Sequence, residues 1–154
     1  MIQYARYPCP FGWLQIGWEN DVILSIRCVD EAHGCSNSSP VSDMAAAQLS
    51  EYFEGRRRVF TFPMEPKGTP FQQSVWEELS RVPYGKTRTY KDIAASIGNP
   101  GAARAVGMAC NRNPIWIAIP CHRVVGSNKS LTGYAGGIQM KRTLLQLEQE
   151  SSPD

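Results

Sequence analysis

A cluster of helix- and strand-breaking residues near the middle of the chain limits most strongly how it can fold. The cluster spans residues 63–70 and holds Pro63, Pro66, Gly68 and Pro70. Before it the sequence is rich in β-forming residues, and after it apolar residues recur at helical spacing. We therefore predict an α+β protein with two lobes, an N-terminal lobe of residues 1–66 and a C-terminal domain of residues 67–154.

The N-terminal lobe is predicted to be a small antiparallel sheet with one helix, packed on the C-terminal lobe. The runs FGWLQIGWEND and VILSIRCVDE are typical of two strands, with a hairpin-like break at residues 19–21. Ser42 or Asp43 is expected to cap a helix that Gly55 ends. The run VFTF, residues 59–62, is expected to return to a strand.

The C-terminal lobe is predicted to be mostly helical and to contain a helix-turn-helix. FQQSVWEELSRV places its apolar residues on one helical face, and IQMKRTLLQLEQE forms a last helix. Between them, the short helical runs TYKDIAASIG and AARAVGMACN are joined by the turn GNPG. Two short helices with a glycine-containing turn of about four residues are the pattern of a helix-turn-helix.

Charge is distributed unevenly between the two parts. Residues 1–66 hold five Arg and no Lys against eight acids, a balance of −3, and residues 67–154 hold eleven basic residues against six acidic ones, a balance of +5. A basic half favours a nucleic-acid partner, although a solvated basic face has the same composition.

The predicted helix AARAVGMAC carries mostly small side chains, and Arg104 is its only long polar group. This helix either packs tightly against the core of the lobe, with Arg104 at the rim, or enters a DNA minor groove, with Arg104 inserted into the base stack. The basic charge of this half favours the DNA-binding alternative.

The cysteines and the apolar runs indicate a cytoplasmic protein. Five cysteines in irregular spacing suit reduced thiols better than a disulfide framework. The N-terminus lacks the apolar core of a signal peptide, and no apolar run approaches the roughly 20 residues of a membrane span.

The run IAIPCHRVVG, residues 117–126, is the strongest candidate for chemistry. A buried cysteine is usually only apolar packing, but His122 and Arg123 beside Cys121 are awkward in a core and indicate a reactive thiol. If the segment is extended, the thiol and the ring point to opposite faces, so either the backbone turns or a water carries the proton. A histidine base also needs an orienting carboxylate, for which Glu148 is a candidate, although a solvated helix end is the commoner state of such a residue.

Several motifs together resemble one protein family. IPCHRVVGSNKSLTGYAGG, preceded by GNPGAARAVG and by TPFQQSVW and VPYGKTRTY, resembles the O6-alkylguanine-DNA alkyltransferases (methylated-DNA–protein-cysteine methyltransferases) over residues 69–148. The N-terminal lobe is similar only loosely, in its length and in WLQIGWENDVILSI. The resemblance implies a DNA repair protein that flips O6-alkylguanine out of the duplex and transfers the alkyl group irreversibly to its own cysteine, once per molecule.

The resemblance also implies roles for individual residues. Cys121 would accept the alkyl group, His122 would act as base through a water that Glu148 helps to orient, and Asn113 would brace the turn. The residues implied to contact DNA or the guanine are Tyr90 at a phosphate, Arg104 as the finger replacing the flipped base, Tyr134 and Ala135 at the pocket, and Asn99 and Ser127 on the DNA. The partner would be double-stranded DNA containing O6-alkylguanine, bound at its minor groove by a monomer without a cofactor.

Some members of this family carry zinc in the N-terminal lobe. The candidate ligands here are Cys9, Cys28, His33 and Cys35, but their spacing fits no standard zinc finger, so we expect free thiols and no metal. Cys110 is expected to serve packing rather than to be a second acceptor.

Three rival functions remain at the level of sequence. Alkyltransferase-like proteins only flag the lesion and carry tryptophan at the acceptor position, whereas this chain has Cys121. A helix-turn-helix regulator would leave PCHRV unexplained, and a Cys-His hydrolase would need an oxyanion site that the sequence does not indicate.

Overall fold

The computed structural model describes residues 1–131 and 133–151. The chain divides into two compact units, of which the first is Met1–Lys67 with Pro114–Trp116 and the second is Gly68–Asn113 with Ile117–Asp154. Across the described ranges, no helix has both the length and the apolar character needed to cross a membrane.

The first unit is built on a three-stranded antiparallel sheet in the order β1-β2-β3, with β1 at Gln3–Cys9, β2 at Gly12–Glu19 and β3 at Val22–Val29. The predicted hairpin break is confirmed: Asn20 adopts a positive φ of 55° between β2 and β3. β1 was not resolved as a separate strand by the sequence pattern. Its Pro8 pairs with Trp13 at the edge of the sheet, where a residue without an N–H is tolerated.

Helix α1, Pro40–Phe53, begins earlier than the sequence predicted. Its N-cap is Ser39, whose side chain accepts from the Ser42 amide while the Ser42 hydroxyl accepts from the Ser39 amide. The prediction of Ser42 or Asp43 as the N-cap was therefore wrong, because Pro40 needs no amide partner and fits the first helical position. The predicted end is correct, since Gly55 follows the helix with a φ of 77°.

The predicted strand at residues 59–62 does not form. The amide of Thr61 donates to the side chain of Gln48 at 2.9 Å, and the Gln48 amide donates back to the Thr61 hydroxyl at 2.8 Å. A helix side chain thus satisfies the polar groups that a neighbouring strand would have paired.

In its described residues, the second unit contains four α-helices, one 3₁₀ turn and a short parallel strand pair. The helices are α2 at Pro70–Leu79, α3 at Tyr90–Ser96, α4 at Ala103–Asn111 and α5 at Ile138–Ser151, and β4 at Arg88–Thr89 pairs with β5 at Val124–Val125. α2 and α3 both begin with reciprocal capping boxes, at Thr69 and Thr89.

Helices α3 and α4 form the predicted helix-turn-helix, and Gly98 has a φ of 80° in the turn between them. The buried side of α4 carries Val106, Ala109 and Cys110, and the Trp76 indole N–H of α2 donates to the Ala109 carbonyl at 2.9 Å. Arg104 and Met108, one helical turn apart, lie on the exposed side.

Candidate active site

Cys121 opens a single 3₁₀ turn, Cys121–Arg123, between Pro120 and β5. The Arg123 amide donates to the Pro120 carbonyl at 3.0 Å, and the Cys121 amide donates to the Ile119 carbonyl at 2.8 Å. The backbone therefore turns at the thiol, which excludes the extended form considered from sequence. In a 3₁₀ turn consecutive side chains diverge by about 120°, so Cys121 and His122 are directed into different surroundings.

Glu148 of α5 is the centre of a buried polar cluster, and not a solvated helix end. One carboxylate oxygen lies 2.6 Å from His122 Nε2, and Arg123 donates to both oxygens, from Nε at 2.9 Å and from Nη2 at 3.1 Å. The Gly85 amide also donates to the Glu148 carboxylate, at 3.0 Å. Gly85 has a positive φ of 79°, a backbone conformation that favours glycine. Glu148 and His122 are both 0% exposed, so this cluster holds the imidazole in one orientation.

Burial keeps His122 neutral, and the hydrogen bonds of the cluster keep Glu148 ionised. Burial by itself would raise the pKa of Glu148, but the hydrogen bonds from His122 and Arg123 and the positive charge of Arg123 outweigh burial and lower the pKa to about 2. Burial lowers the pKa of His122, against the opposing effect of Glu148. Since a carboxylate can only accept a hydrogen bond, Nε2 carries the ring proton and Nδ1 holds the lone pair. The ring can therefore take up a proton at Nδ1.

The Cys121 thiol is protonated at rest. It is 3% exposed, and burial and the neighbouring Cys110 thiol raise its pKa well above the ordinary value. Asn113 and Lys141 act in the opposite direction, Asn113 through a hydrogen bond to the sulfur and Lys141 through its charge. Asn113 also donates from Nδ2 to the Ile119 carbonyl at 2.9 Å, so it fixes the backbone immediately before Pro120.

Lys141 is a site residue that the sequence analysis missed. It is 0% exposed, and its Nζ donates to the Gly133 carbonyl at 3.3 Å and to the Tyr90 hydroxyl at 3.5 Å. Burial lowers its pKa, while the nearby thiols act to raise it. The signal was available in the sequence: Lys141, Leu144 and Glu148 share one face of α5 by their spacing of three and four residues.

A surface pocket of about 460 Å³ lies on the exposed side of α4. It brings together three of the predicted residues: Tyr90, Arg104 and Ser127. Other lining residues were not predicted, and these include Lys91, Met108 and Asn111. The pocket is thus bordered by long basic and polar side chains.

The remaining predicted residues lie around this region. Tyr134 packs edge-on to the His122 ring, with ring centres 6.5 Å apart, and Ala135 is exposed in the adjoining loop. Asn99 is exposed in the turn between α3 and α4, where its carbonyl accepts from the Ala102 amide at 2.9 Å.

The candidate zinc ligands of the first unit do not converge. Cys9 hydrogen-bonds with Cys28, which lowers the pKa of Cys9 to about 7 and raises that of Cys28. His33 pairs instead with Glu31 at 3.1 Å, and Cys35 is exposed. Within residues 1–131 and 133–151, no group of three or more His, Cys, Asp or Glu side chains is arranged to hold a metal ion.

Comparisons with known proteins cover almost the whole chain. Two family models match, the 6-O-methylguanine DNA methyltransferase ribonuclease-like domain over residues 2–66 and the DNA binding domain of the same family over residues 70–150. A methylated-DNA–protein-cysteine methyltransferase of Mycolicibacterium paratuberculosis is 42% identical over 158 residues, covering 99% of this chain and 96% of the relative. A constitutive one of Bacillus subtilis is 45% identical over 161 residues, covering 98% of each.

A solved structure extends this agreement to the fold. The Mycobacterium tuberculosis OGT in complex with DNA is similar with a TM-score of 0.89 and 42% identity, covering 98% of this chain and 95% of the other. The α+β fold predicted from sequence is confirmed. With family models matching both units and relatives above 40% identity along nearly its full length, this chain belongs to the 6-O-methylguanine DNA methyltransferase family.

Proposed function

We propose that this protein repairs DNA by moving the alkyl group of O6-alkylguanine, chiefly O6-methylguanine, onto Cys121, once per molecule. The observation that carries the proposal is a buried thiol on a fixed turn next to a neutral histidine that a buried carboxylate orients. The names of the relatives agree with this reaction.

The first chemical requirement is a thiolate. Cys121 is a thiol at rest, and only the thiolate is a strong nucleophile. His122 Nδ1 receives the thiol proton through a water, because the two side chains diverge on the turn. The imidazolium that forms is stabilised by the Glu148 carboxylate, while Asn113 and Lys141 stabilise the negative sulfur. Base catalysis of this kind contributes typically about 10²- to 10⁴-fold to the rate.

The transfer itself is a single displacement at carbon. The Cys121 sulfur forms a bond to the alkyl carbon as the bond from that carbon to guanine O6 breaks, and the electron pair goes to the purine. The Tyr134 hydroxyl donates to the departing O6, which makes guanine a better leaving group. The product is a thioether, a poor leaving group, so the acceptor is not regenerated.

The exposed side of α4 is proposed to bind the minor groove of double-stranded DNA. The target atom is inaccessible in the base stack, and flipping the base costs a few kcal/mol. Arg104 fills the space that the base leaves, and Tyr90 binds the adjacent phosphate and assists flipping. Asn99 and Ser127 contact the DNA, and the loop containing Ala135 lines the guanine pocket.

The protein is further proposed to act as a monomer in the cytoplasm and without a cofactor. A single chain carries the thiol, its base and the exposed helix of the helix-turn-helix in one unit. A reducing compartment keeps Cys121 available as a thiol.

The test follows the fate of the lesion. A duplex with one O6-methylguanine is incubated with protein in excess, and the DNA is digested to nucleosides. We expect guanine to be restored in step with protein added, while Cys121→Ala still binds the duplex and restores none. Unchanged O6-methylguanine with correctly folded wild-type protein would refute the proposal, and restoration by Cys121→Ala would refute the role of Cys121.

A further inference from the structure

The exposed side of α4 carries one large apolar side chain, that of Met108. This residue is 63% exposed, which makes it the most exposed large apolar residue among the described residues of the second unit. A single exposed apolar residue is common on protein surfaces and by itself implies no function. The position of Met108 on α4, relative to Arg104 and to two pockets, gives a reason to assign it one.

Met108 lies on the ridge between two surface pockets. It lines the pocket of about 460 Å³ described above, which Lys91 also borders. A second pocket, of about 320 Å³, is lined by Met108 and, among others, by Thr69, Gln72 and Arg112. At 3.6 residues per turn, the α4 residues of the two pockets lie on opposite flanks of the helix, with Met108 between them.

This arrangement fits a helix that enters the minor groove of DNA. Such a helix meets a sugar-phosphate strand on each side and the edges of the base pairs in front of it. The two pockets provide one basic side chain for each strand, Lys91 on one flank and Arg112 on the other, and both are exposed. The ridge with Met108 then faces the floor of the groove.

We propose that Met108 covers the minor-groove edge of a base pair close to the flipped guanine, and makes repair faster where that pair is A·T than where it is G·C. The inference rests on the proposed function, in which α4 enters the minor groove and Arg104 replaces the flipped base. Side chains four residues apart on a helix are separated by about 5–6 Å. Since successive base pairs are about 3.4 Å apart, Met108 covers a pair one or two steps from the lesion.

The preference arises from one amino group. In the minor groove both kinds of base pair present acceptors, but G·C also presents the N2 amino group of guanine, which is a donor. The methionine thioether is only a weak acceptor. When Met108 excludes water from a G·C pair, the amino group is therefore left without a good partner, and an A·T pair has no such group to lose.

The test compares duplexes that differ only at the pairs one and two steps on either side of O6-methylguanine. Single-turnover transfer is measured with protein in excess but below saturation. At one of these positions we expect the rate constant to be about 10-fold lower with G·C than with A·T, because a donor is left unpaired. Inosine in place of that guanine removes only the N2 amino group, so an I·C pair is expected to restore the rate.

Variants assign the preference to the side chain. With Met108→Ala, rates with A·T and G·C are expected to agree within about twofold, since the apolar cover is lost. Met108→Gln keeps the length and supplies an acceptor for the amino group, so it should react faster with G·C. Met44→Ala is the matched control, because Met44 is a 40% exposed methionine on α1 of the other unit, and it should keep the wild-type preference. All three variants should react with a free O6-alkylguanine base as fast as wild type does.

Three results would overturn the inference. One is equal wild-type rates for A·T and G·C at every position, and another is a slow G·C duplex that inosine does not restore. The third is a preference that persists in Met108→Ala, because it would then come from the ease of deforming the duplex. A folded protein that transfers methyl from no duplex would contradict the proposed function and this inference with it, whereas equal rates would contradict this inference alone.

Discussion

Replacing Glu148 with glutamine tests whether the buried carboxylate stabilises the fold as well as orienting His122. The pKa of Glu148 falls from an ordinary 4.5 to about 2 in the folded protein. At about 1.4 kcal/mol per pKa unit, this difference corresponds to about 3 kcal/mol of folding free energy at neutral pH. That figure agrees with the loss of about 3–5 kcal/mol typical when a buried ion pair is broken, and here Arg123 would be left without its carboxylate.

The sign of the pH dependence is fixed by the lowered pKa. Because the unfolded chain binds the Glu148 proton more tightly, the stabilisation is fully present above pH 4.5 and is lost as the pH falls towards 2. Glu148→Gln is expected to lower the free energy of unfolding by about 3 kcal/mol at pH 7, which for a chain of this size lowers Tm by about 6–12 °C. The difference from wild type should shrink below pH 4.5.

The assay is urea unfolding followed by circular dichroism at pH 7 and at a series of acidic pH values. Glu150→Gln is the matched control, since Glu150 is exposed on the same helix, and we expect its effect to stay within about 0.5 kcal/mol. A Glu148→Gln protein as stable as wild type at pH 7 would refute the reasoning. So would a destabilisation that stays constant down to pH 2, because it would mean that lost packing, not lost charge, is the cause.

The remaining predictions concern the transfer reaction. Arg104→Ala is expected to slow transfer from duplex DNA by about 10- to 100-fold, because base flipping costs a few kcal/mol and this variant lacks the side chain that replaces the flipped base. Its reaction with a free O6-alkylguanine base should be unchanged, and equal slowing of both reactions would contradict the role of Arg104. Tyr134→Phe should reduce the single-turnover rate by about 100-fold without weakening duplex affinity, and an unchanged rate would exclude the hydroxyl as donor to O6. Lys141→Met should preserve or raise Tm, because a desolvated charge is removed, and it should slow transfer by about 10-fold. A Lys141→Met protein that transfers as fast as wild type would show that the ammonium does not assist the thiolate.

The helices and the central hairpin could be predicted because their signals are local. Apolar spacing marks α2, a glycine turn separates α3 from α4, and Gly55 ends α1. The failed strand at residues 59–62 has apolar β-formers, but its amide bonds go to Gln48, a partner that periodicity does not reveal. β1 was missed because Pro8 weakens the pattern of a strand that forms only as a sheet edge.

The contacts within the site could not be predicted in the same way, because the residues that contact one another are distant in sequence. Glu148 reaches His122 across 26 residues and Gly85 across 63, so its burial is decided by tertiary packing, and the local expectation of a solvated helix end fails. The motif around Cys121 marks the thiol itself. The partners of Arg123 appear only in the folded chain. The place of Lys141 on the same face of α5 as Glu148 could have been inferred from their spacing.

The most direct measurement of the central claim is the amount and position of methyl on the protein after reaction with excess duplex carrying O6-methylguanine. Intact mass and a tryptic map locate the added group, and residues 113–123 contain Cys121 as their only cysteine. The account predicts one methyl per molecule, on Cys121, with no further transfer on longer incubation. Methyl on another residue, more than one per molecule, or none on a folded protein would contradict it.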